Sequence, residues 1–449
     1  MKKRIVYPFV VFLFLAASGF IILKYQKDKK ENETRVYELL SRNGVTATYT
    51  EWFTVQKNAS ELLQKIKLNE NDLVSKLKLT ALYLQEARVT GNYMYYDVAG
   101  VKLLNDVLKK DPNNFEALTF KAMIFLSQHH FAEGLAVAEK IREMYPYNAF
   151  VYGILTDANV ELGKYDSALV TADKMVSIRP DLRSYSRISY QREIHGDNEG
   201  AIEAMKLAVE AGAQGDESTE WSRIQLAKLY EHVGQLDYAK MNYTIALNDR
   251  PDYPHALAGL ARIAIAEKKY DTAILLYNKA ASSVNDFTIQ EELAAAYKLV
   301  DDKEESARLS KMIVQEMVKA SQKNKPGDST GHYSDKEMAY AYINIGNYDK
   351  ALEHAILEYN RRPDNIDINE TLAWVYYKKG NISKASQYIK EALKTNCKNP
   401  VLLSHAGLIY YAAGNKTMSK SALAEALKNN PVISSSLKSD AEKALQSLQ

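Results

Sequence analysis

His129-His130 is the only histidine pair in the sequence, and two adjacent imidazoles are the kind of group from which a metal site or a proton relay can be built. A metal would need further ligands converging from elsewhere, and neither an HExxH pattern nor a Cys/His set supplies them. The pair falls between two helical stretches, where it reads as a solvated turn. Cys397 is the single cysteine, which excludes an intrachain disulfide and a multi-thiolate metal centre. Neither GxxxxGK[ST] nor GxGxxG occurs to cradle a phosphate, and no GxSxG marks a nucleophile elbow. The acidic pairs Glu291-Glu292 and Glu304-Glu305 lie in helical stretches and read as solvated faces. Six Asn-x-Ser/Thr triplets, at Asn32, Asn58, Asn242, Asn369, Asn381 and Asn415, fall partly inside helices and read as chance. No catalytic residue, metal site or cofactor is assigned, and the chain is expected not to be an enzyme.

The formal charge of +2 conceals an asymmetry. Residues 1–30 carry seven Lys/Arg and one acid, leaving 51 bases against 55 acids in the remainder. A near-neutral, slightly acidic body lacks the clustered bases that phosphate backbones require, so no nucleic-acid partner is expected. The basic start is followed by an uncharged apolar run, Ile5–Leu23, close to the roughly 20 residues that cross a bilayer as a helix. Two readings stay open. Ile5–Leu15 suits the apolar region of a signal peptide, with Ala16-Ala17-Ser18-Gly19 as a cleavage region. Alternatively the whole run is an uncleaved anchor, since Phe20-Ile21-Ile22-Leu23 continues the apolarity. Either way the body is expected outside the cytoplasm, anchored in the membrane or periplasmic, in the cell envelope.

The elements that would position any functional side chain repeat along the chain. Pro112, Pro146 and Pro180 are 34 apart, as are Gly380 and Gly414, Ala239, Ala273 and Ala307, and Ala351 and Ala385. Residues 220–253 carry Leu226, Ala227, Tyr230, Gly234, Ala239, Tyr243, Ala246 and Pro251. Residues 366–399 carry Leu372, Ala373, Tyr376, Gly380, Ala385 and Ala392, with Cys397 where the proline would stand. Residues 149–182 keep Tyr152, Leu155, Gly163, Tyr165, Ala168 and Pro180. This pattern resembles the tetratricopeptide repeat. A glycine ends the first helix, small residues let two helices approach, large ones fill the space between pairs, and proline closes the unit.

The resemblance implies an all-α, right-handed superhelical solenoid of about nine to ten antiparallel helix pairs with a C-terminal capping helix. Residues 1–30 are the signal peptide or anchor and 31–79 a spacer and helical lead-in. Residues 80–320 form the first part of the solenoid, 321–331 an inter-repeat loop or hinge, 332–431 the second part and 432–449 the cap. The first unit is expected to be degenerate, with a stretched turn at GNYMYYDVAG.

In this family the first helices line a concave groove that takes a peptide or a partner helix. By its register the groove-facing positions are Arg183, Tyr190, Glu193, Trp221, Lys228, His255, Arg262, Tyr333, Lys336, Tyr340, Glu370, Trp374, Tyr377 and Lys378. Aromatics and long bases suit an interface, although the same rings would serve as packing between repeats. The Lys/Asn/Lys/Arg set with which some members clamp a C-terminal carboxylate is not found. The expected function is a non-catalytic scaffold, exported or membrane-tethered, that holds a protein or peptide partner in its groove. An accessory subunit of an envelope enzyme or assembly complex is the alternative.

Overall fold

A computed structural model describes residues 12, 14–21, 23–24, 36–321, 331–428 and 434–448. The chain divides into two units, Met1–Leu40 and Ser41–Gln449. In the first, the described residues between 12 and 24 are helical and leave Phe12, Phe14, Leu15, Phe20, Ile21 and Leu23 exposed. Much of the expected Ile5–Leu23 span lies outside the described residues. Among those described, no helix is long and apolar enough to cross a membrane. The expected hinge at 321–331 also lies outside them, except at its two ends.

The second unit is an all-helical solenoid. After α1 (Thr50–Leu68) come ten helix pairs. They are α2/α3 (Leu73–Thr90, Tyr93–Lys110), α4/α5 (Phe115–Ser127, Phe131–Met144), α6/α7 (Ala149–Glu161, Tyr165–Ile178), α8/α9 (Leu182–Ile194, Asn198–Glu210) and α10/α11 (Glu217–His232, Leu236–Asp249). There follow α12/α13 (Pro254–Ala266, Tyr270–Ala281), α14/α15 (Phe287–Leu299, Lys303–Ser321), α16/α17 (Asp335–Asn344, Tyr348–Arg361), α18/α19 (Ile366–Lys378, Ile382–Ala392) and α20/α21 (Pro400–Ala412, Lys416–Leu427). The chain ends in α22 (Ser435–Gln446), which packs on α20 and α21.

Local chemistry sets these boundaries. Side chains of Asn114, Asn148, Asp181, Asn365 and Asn399 accept backbone N–H groups at the starts of first helices. Such caps satisfy donors that a helix start leaves unpaired. First helices end in a left-handed residue, for example Gly163 at φ 72° and Gly346 at φ 76°. Three units use His129, Lys268 or Asp301 there instead, at φ 60–62°, a conformation that costs a non-glycine residue about 1–2 kcal/mol.

The expected stretched first turn is not formed. The turn is Gly91-Asn92 alone, and the Tyr-rich stretch opens α3, where Tyr96 is fully buried 5.8 Å from the ring of Tyr83. The first pair accordingly opens at Leu73, and the stretch is helical where Tyr96 buries its ring against Tyr83.

Alanines at 0 % exposure, such as Ala122, Ala138, Ala227, Ala239, Ala373 and Ala385, line the contact inside each pair. Tyr243 is fully buried, and a Cβ on Gly259 of the next pair would run into its ring. Burying one such large side chain stabilises by roughly 1.5–3 kcal/mol. Successive first helices touch directly from α2 to α12 and from α16 to α20, so the stack bends with the first helices inside.

A solenoid ordinarily holds contacts between neighbouring repeats only. Here the superhelix closes on itself, because closing loops of later units rest on turns of units close to 200 residues earlier. Arg250 pairs with Glu51 at 2.9 Å, and the Tyr49 hydroxyl donates to the Pro251 carbonyl at 2.6 Å. Asn285 N–H donates to the Thr90 carbonyl at 3.0 Å. His130 Nε2–H donates to the Gly331 carbonyl at 2.5 Å, and His129 Nδ1–H to the Tyr333 carbonyl at 2.6 Å. Arg362 pairs with Glu161, and Ile366 N–H donates to the Tyr165 hydroxyl at 2.8 Å. One unit further on, a Cβ at Gly196 would overlap the Asn396 carbonyl. The His129-His130 pair is thus at a turn but not solvated: His130 is 3 % exposed and sits in this seam.

Candidate functional site: the superhelical lumen

Of the groove positions read from the register, Arg183, Tyr190 and Trp221 are the open ones. Arg183 lies over the Phe150 ring at 5.0 Å. Tyr190 keeps 40 % of its surface open, yet burial holds its hydroxyl well above its ordinary pKa, with Asp367 and Glu161 adding to the effect. Both facts follow from a narrow lumen: water reaches the ring while protein surrounds it, including the unit one superhelical turn away. Trp221, 38 % exposed, meets His255 edge-on at 5.0 Å and carries the Lys228 ammonium 5.9 Å from its ring.

Around that tryptophan the side chains are half-buried and interlocked. Arg262 donates to Glu231 at 3.0 Å and Glu292 at 3.2 Å, and also to the Tyr243 hydroxyl at 3.0 Å. Burial pushes the Glu292 carboxyl up, with Arg262 opposing it. Lys228 is lowered by burial and then by Arg262. His255 is pushed down to about 4 by burial, against the pull of Asp286. Lys336 lies 3.5 Å from Asp367; burial works against its charge, but Asp367, Glu337 and Glu161 outweigh it and raise the pKa. Glu193 stands 3.1 Å from His232.

Two groups of candidates are placed elsewhere. Tyr333 precedes α16 and belongs to the seam, stacked on His130 at 4.2 Å with the Arg361 guanidinium also over its ring at 4.2 Å. Trp374 is only 7 % exposed, stacked between His405 at 3.7 Å and Tyr377 at 4.9 Å, with Lys378 4.6 Å from its ring. The Tyr340 hydroxyl donates to Glu370 at 2.5 Å, and Glu370, 9 % exposed, also pairs with His405. These residues pack α16, α18 and α20 together and leave Trp374 buried. The packing reading holds for Trp374, whereas Trp221 stays open.

The register missed one recess. Thr156, Asp157, Val160 and Glu161 of α6 with Arg187, Tyr190 and Gln191 of α8 line a cavity of about 110 Å³. Arg187 grips Asp157 through Nε at 2.8 Å and Nη2 at 2.5 Å. Gln191 is 2 % exposed, and among the described residues both its amide oxygen and nitrogen lack a hydrogen-bond partner. A buried amide left so is costly, and a group offering one donor and one acceptor satisfies it. No sequence signal marks Gln191, since it is one glutamine among helical residues. Arg187 and Asp157, 30 residues apart, carried no signal either.

Among the described residues no cluster of His, Cys, Asp or Glu could hold a metal ion. The fold is an α-solenoid of stacked helix pairs, with the first helices on its inner wall. Residues 224–286 and 366–396 match models described as tetratricopeptide repeat, and the chain carries such repeats. None of the curated proteins matches it. Among solved structures it is similar to a thermophilic TPR protein of Thermus thermophilus, at 21 % identity over 45 % of this chain and 99 % of that one, TM-score 0.37. The human IFIT1 dimer with PPP-AAAA is similar at 14 % identity over 78 % and 89 %, TM-score 0.44. The APC/C hetero-tetramer Cut9-Hcn1 is similar at 14 % identity over 95 % and 81 %, TM-score 0.40.

Proposed function

We propose that this protein is a non-catalytic scaffold that holds an extended segment of a partner protein in its superhelical lumen, tethered to or exported across a membrane by its N-terminal segment. The observation that carries the reading is the unpaired amide of Gln191 in a recess beside the open ring of Tyr190. An extended peptide presents one N–H and one C=O per residue, and it offers rings and side chains to Tyr190 and Trp221. The exposed apolar residues between Phe12 and Leu23 support the tether. Tyr190→Ala with Trp221→Ala is expected to lower recovery of crosslinked partner at least fivefold, with circular dichroism unchanged because both rings are open. Unchanged recovery sinks the lumen as the binding site.

A further inference from the structure

Inside the chain, a loop and a turn fit together as plug and socket. The plug is Arg362-Pro363-Asp364-Asn365, and the socket is the turn at Gly163. Arg362 pairs with Glu161, and the Asn365 side chain donates to the Glu161 carbonyl at 3.1 Å. A Cβ at Gly163 would overlap the Asp364 carbonyl, so the two backbones are in direct contact. The sequence contains both halves a second time. Gly346-Asn347-Tyr348-Asp349 repeats Gly163-Lys164-Tyr165-Asp166, and Arg179-Pro180-Asp181 repeats Arg362-Pro363-Asp364.

These second halves are unoccupied by each other. Among the described residues, nothing beyond its own chain neighbours lies within 4 Å of where a Cβ on Gly346 would stand. Ile345, Gly346, Asn347, Tyr348, Asp349, Lys378 and Lys379 line an open hollow of about 510 Å³ there. The Arg179 side chain is 73 % exposed, held 3.1 Å from Asp181 of its own loop.

We propose that the Gly346 hollow docks the Arg179-Pro180-Asp181 loop of a second copy of this chain, continuing between molecules the seam already formed within one. Three features of the surface fit that occupant. Asn344 stands where Glu161 stands in the filled socket, and its amide is 3.4 Å from the Glu291 carboxyl, so an acid is at hand for Arg179. The open face extends along the stack, because Gly380 and Gly414 likewise have nothing within 4 Å. On the other side, the preceding closing loop is also open, with Tyr147 79 % exposed. Several loops can therefore dock in parallel, as they do in the intramolecular seam. The two faces differ, so the contact is heterologous and adds copies head to tail instead of closing a two-fold dimer.

The test mixes full-length Asn344→Cys with full-length Ser177→Cys, which places the thiol on the exposed end of the helix before the loop and keeps Arg179, and adds a short bismaleimide. Cys397 is buried and its thiol is pushed up to about 12 by burial, so it does not compete. A covalent dimer is expected in the mixture and in neither variant alone. Ile345→Trp, which fills the hollow from a partly exposed position, is expected to bring the yield to the single-variant background. Lys379→Trp, which fills it from the opposite wall, is expected to do the same if Ile345→Trp perturbs the helix end. A mixture that gives no dimer, or a yield that neither tryptophan lowers, overturns the proposal. Partner capture in the lumen uses other residues, so either result leaves that reading to its own test.

Discussion

Gly163 and Gly346 occupy one place in two copies of a pattern, with φ 72° and 76°. The first lies under the backbone of Asp364 and Asn365, while the second faces open space. Gly163 therefore answers two demands, a left-handed turn and a close approach, whereas Gly346 answers only the first. The arginines differ in the same way. Arg362 is 5 % exposed between Glu358 at 2.5 Å and Glu161, and Arg179 is 73 % exposed. A repeat motif thus sets a local shape, and its place along the superhelix decides what that shape touches. Where a later turn covers it, the same residues become structural keystones; where none does, they remain a surface.

The largest effect should come from the covered arginine. Arg362→Ala leaves Glu161 without its partner and the buried Glu358 carboxylate with Arg361 alone, and breaking such a buried pair costs about 3–5 kcal/mol. Arg179→Ala is expected within about 0.5 kcal/mol of the parent, as for an ordinary exposed site. Urea midpoints of the two variants, measured on dilute protein, check the contrast. Equal midpoints would mean that the seam contributes nothing to stability.

The glycines come next. Gly346→Ala should cost about 1–2 kcal/mol for the left-handed backbone alone. Gly163→Ala should cost that amount plus displacement of Asp364 and Asn365, and should speed amide exchange at Ile366, whose N–H is bound to Tyr165 across the seam. Exchange at Ile366 unchanged in Gly163→Ala would show that the two turns are not in contact in solution.

The last effect concerns the acid on the open face and appears only at high pH. Burial, with Glu337 nearby, pushes the Glu291 carboxyl up to about 7, with no arginine beside it comparable to Arg362 at Glu161. Its folded pKa lies above the unfolded value. Stability from this group is therefore full below about 4.5 and declines as pH rises through about 7. Glu291→Gln should raise stability at pH 8 by about 1–2 kcal/mol and leave it unchanged at about pH 4. A pH profile identical to the parent would remove Glu291 as a titrating group.

Much of this arrangement is legible one unit at a time. The 34-residue spacing of Pro112, Pro146 and Pro180 marks loops, and Gly163, Gly346, Gly380 and Gly414 mark helix ends. Both are dictated by backbone preferences that act over a few residues. Alanine and tyrosine spacing gives the pair contacts, because helix periodicity fixes which residues face one another. The turn-like composition of GNYMYYDVAG misled, because the ring of Tyr96 is buried in a helix there, and at Trp374 the register left groove and packing open, which His405 of the next pair decides.

The sequence by itself determined the helix pairs after the first, the glycine turns between their helices and the all-helical solenoid, since each depends on chemistry within about 34 residues. Only the tertiary structure decided which turns are sealed, that His130 is buried, and that Gln191 is left with an unpaired amide. Those outcomes depend on how small bends between pairs accumulate. After close to 200 residues the accumulated rotation brings Arg362 to Glu161, and no local pattern records that distance.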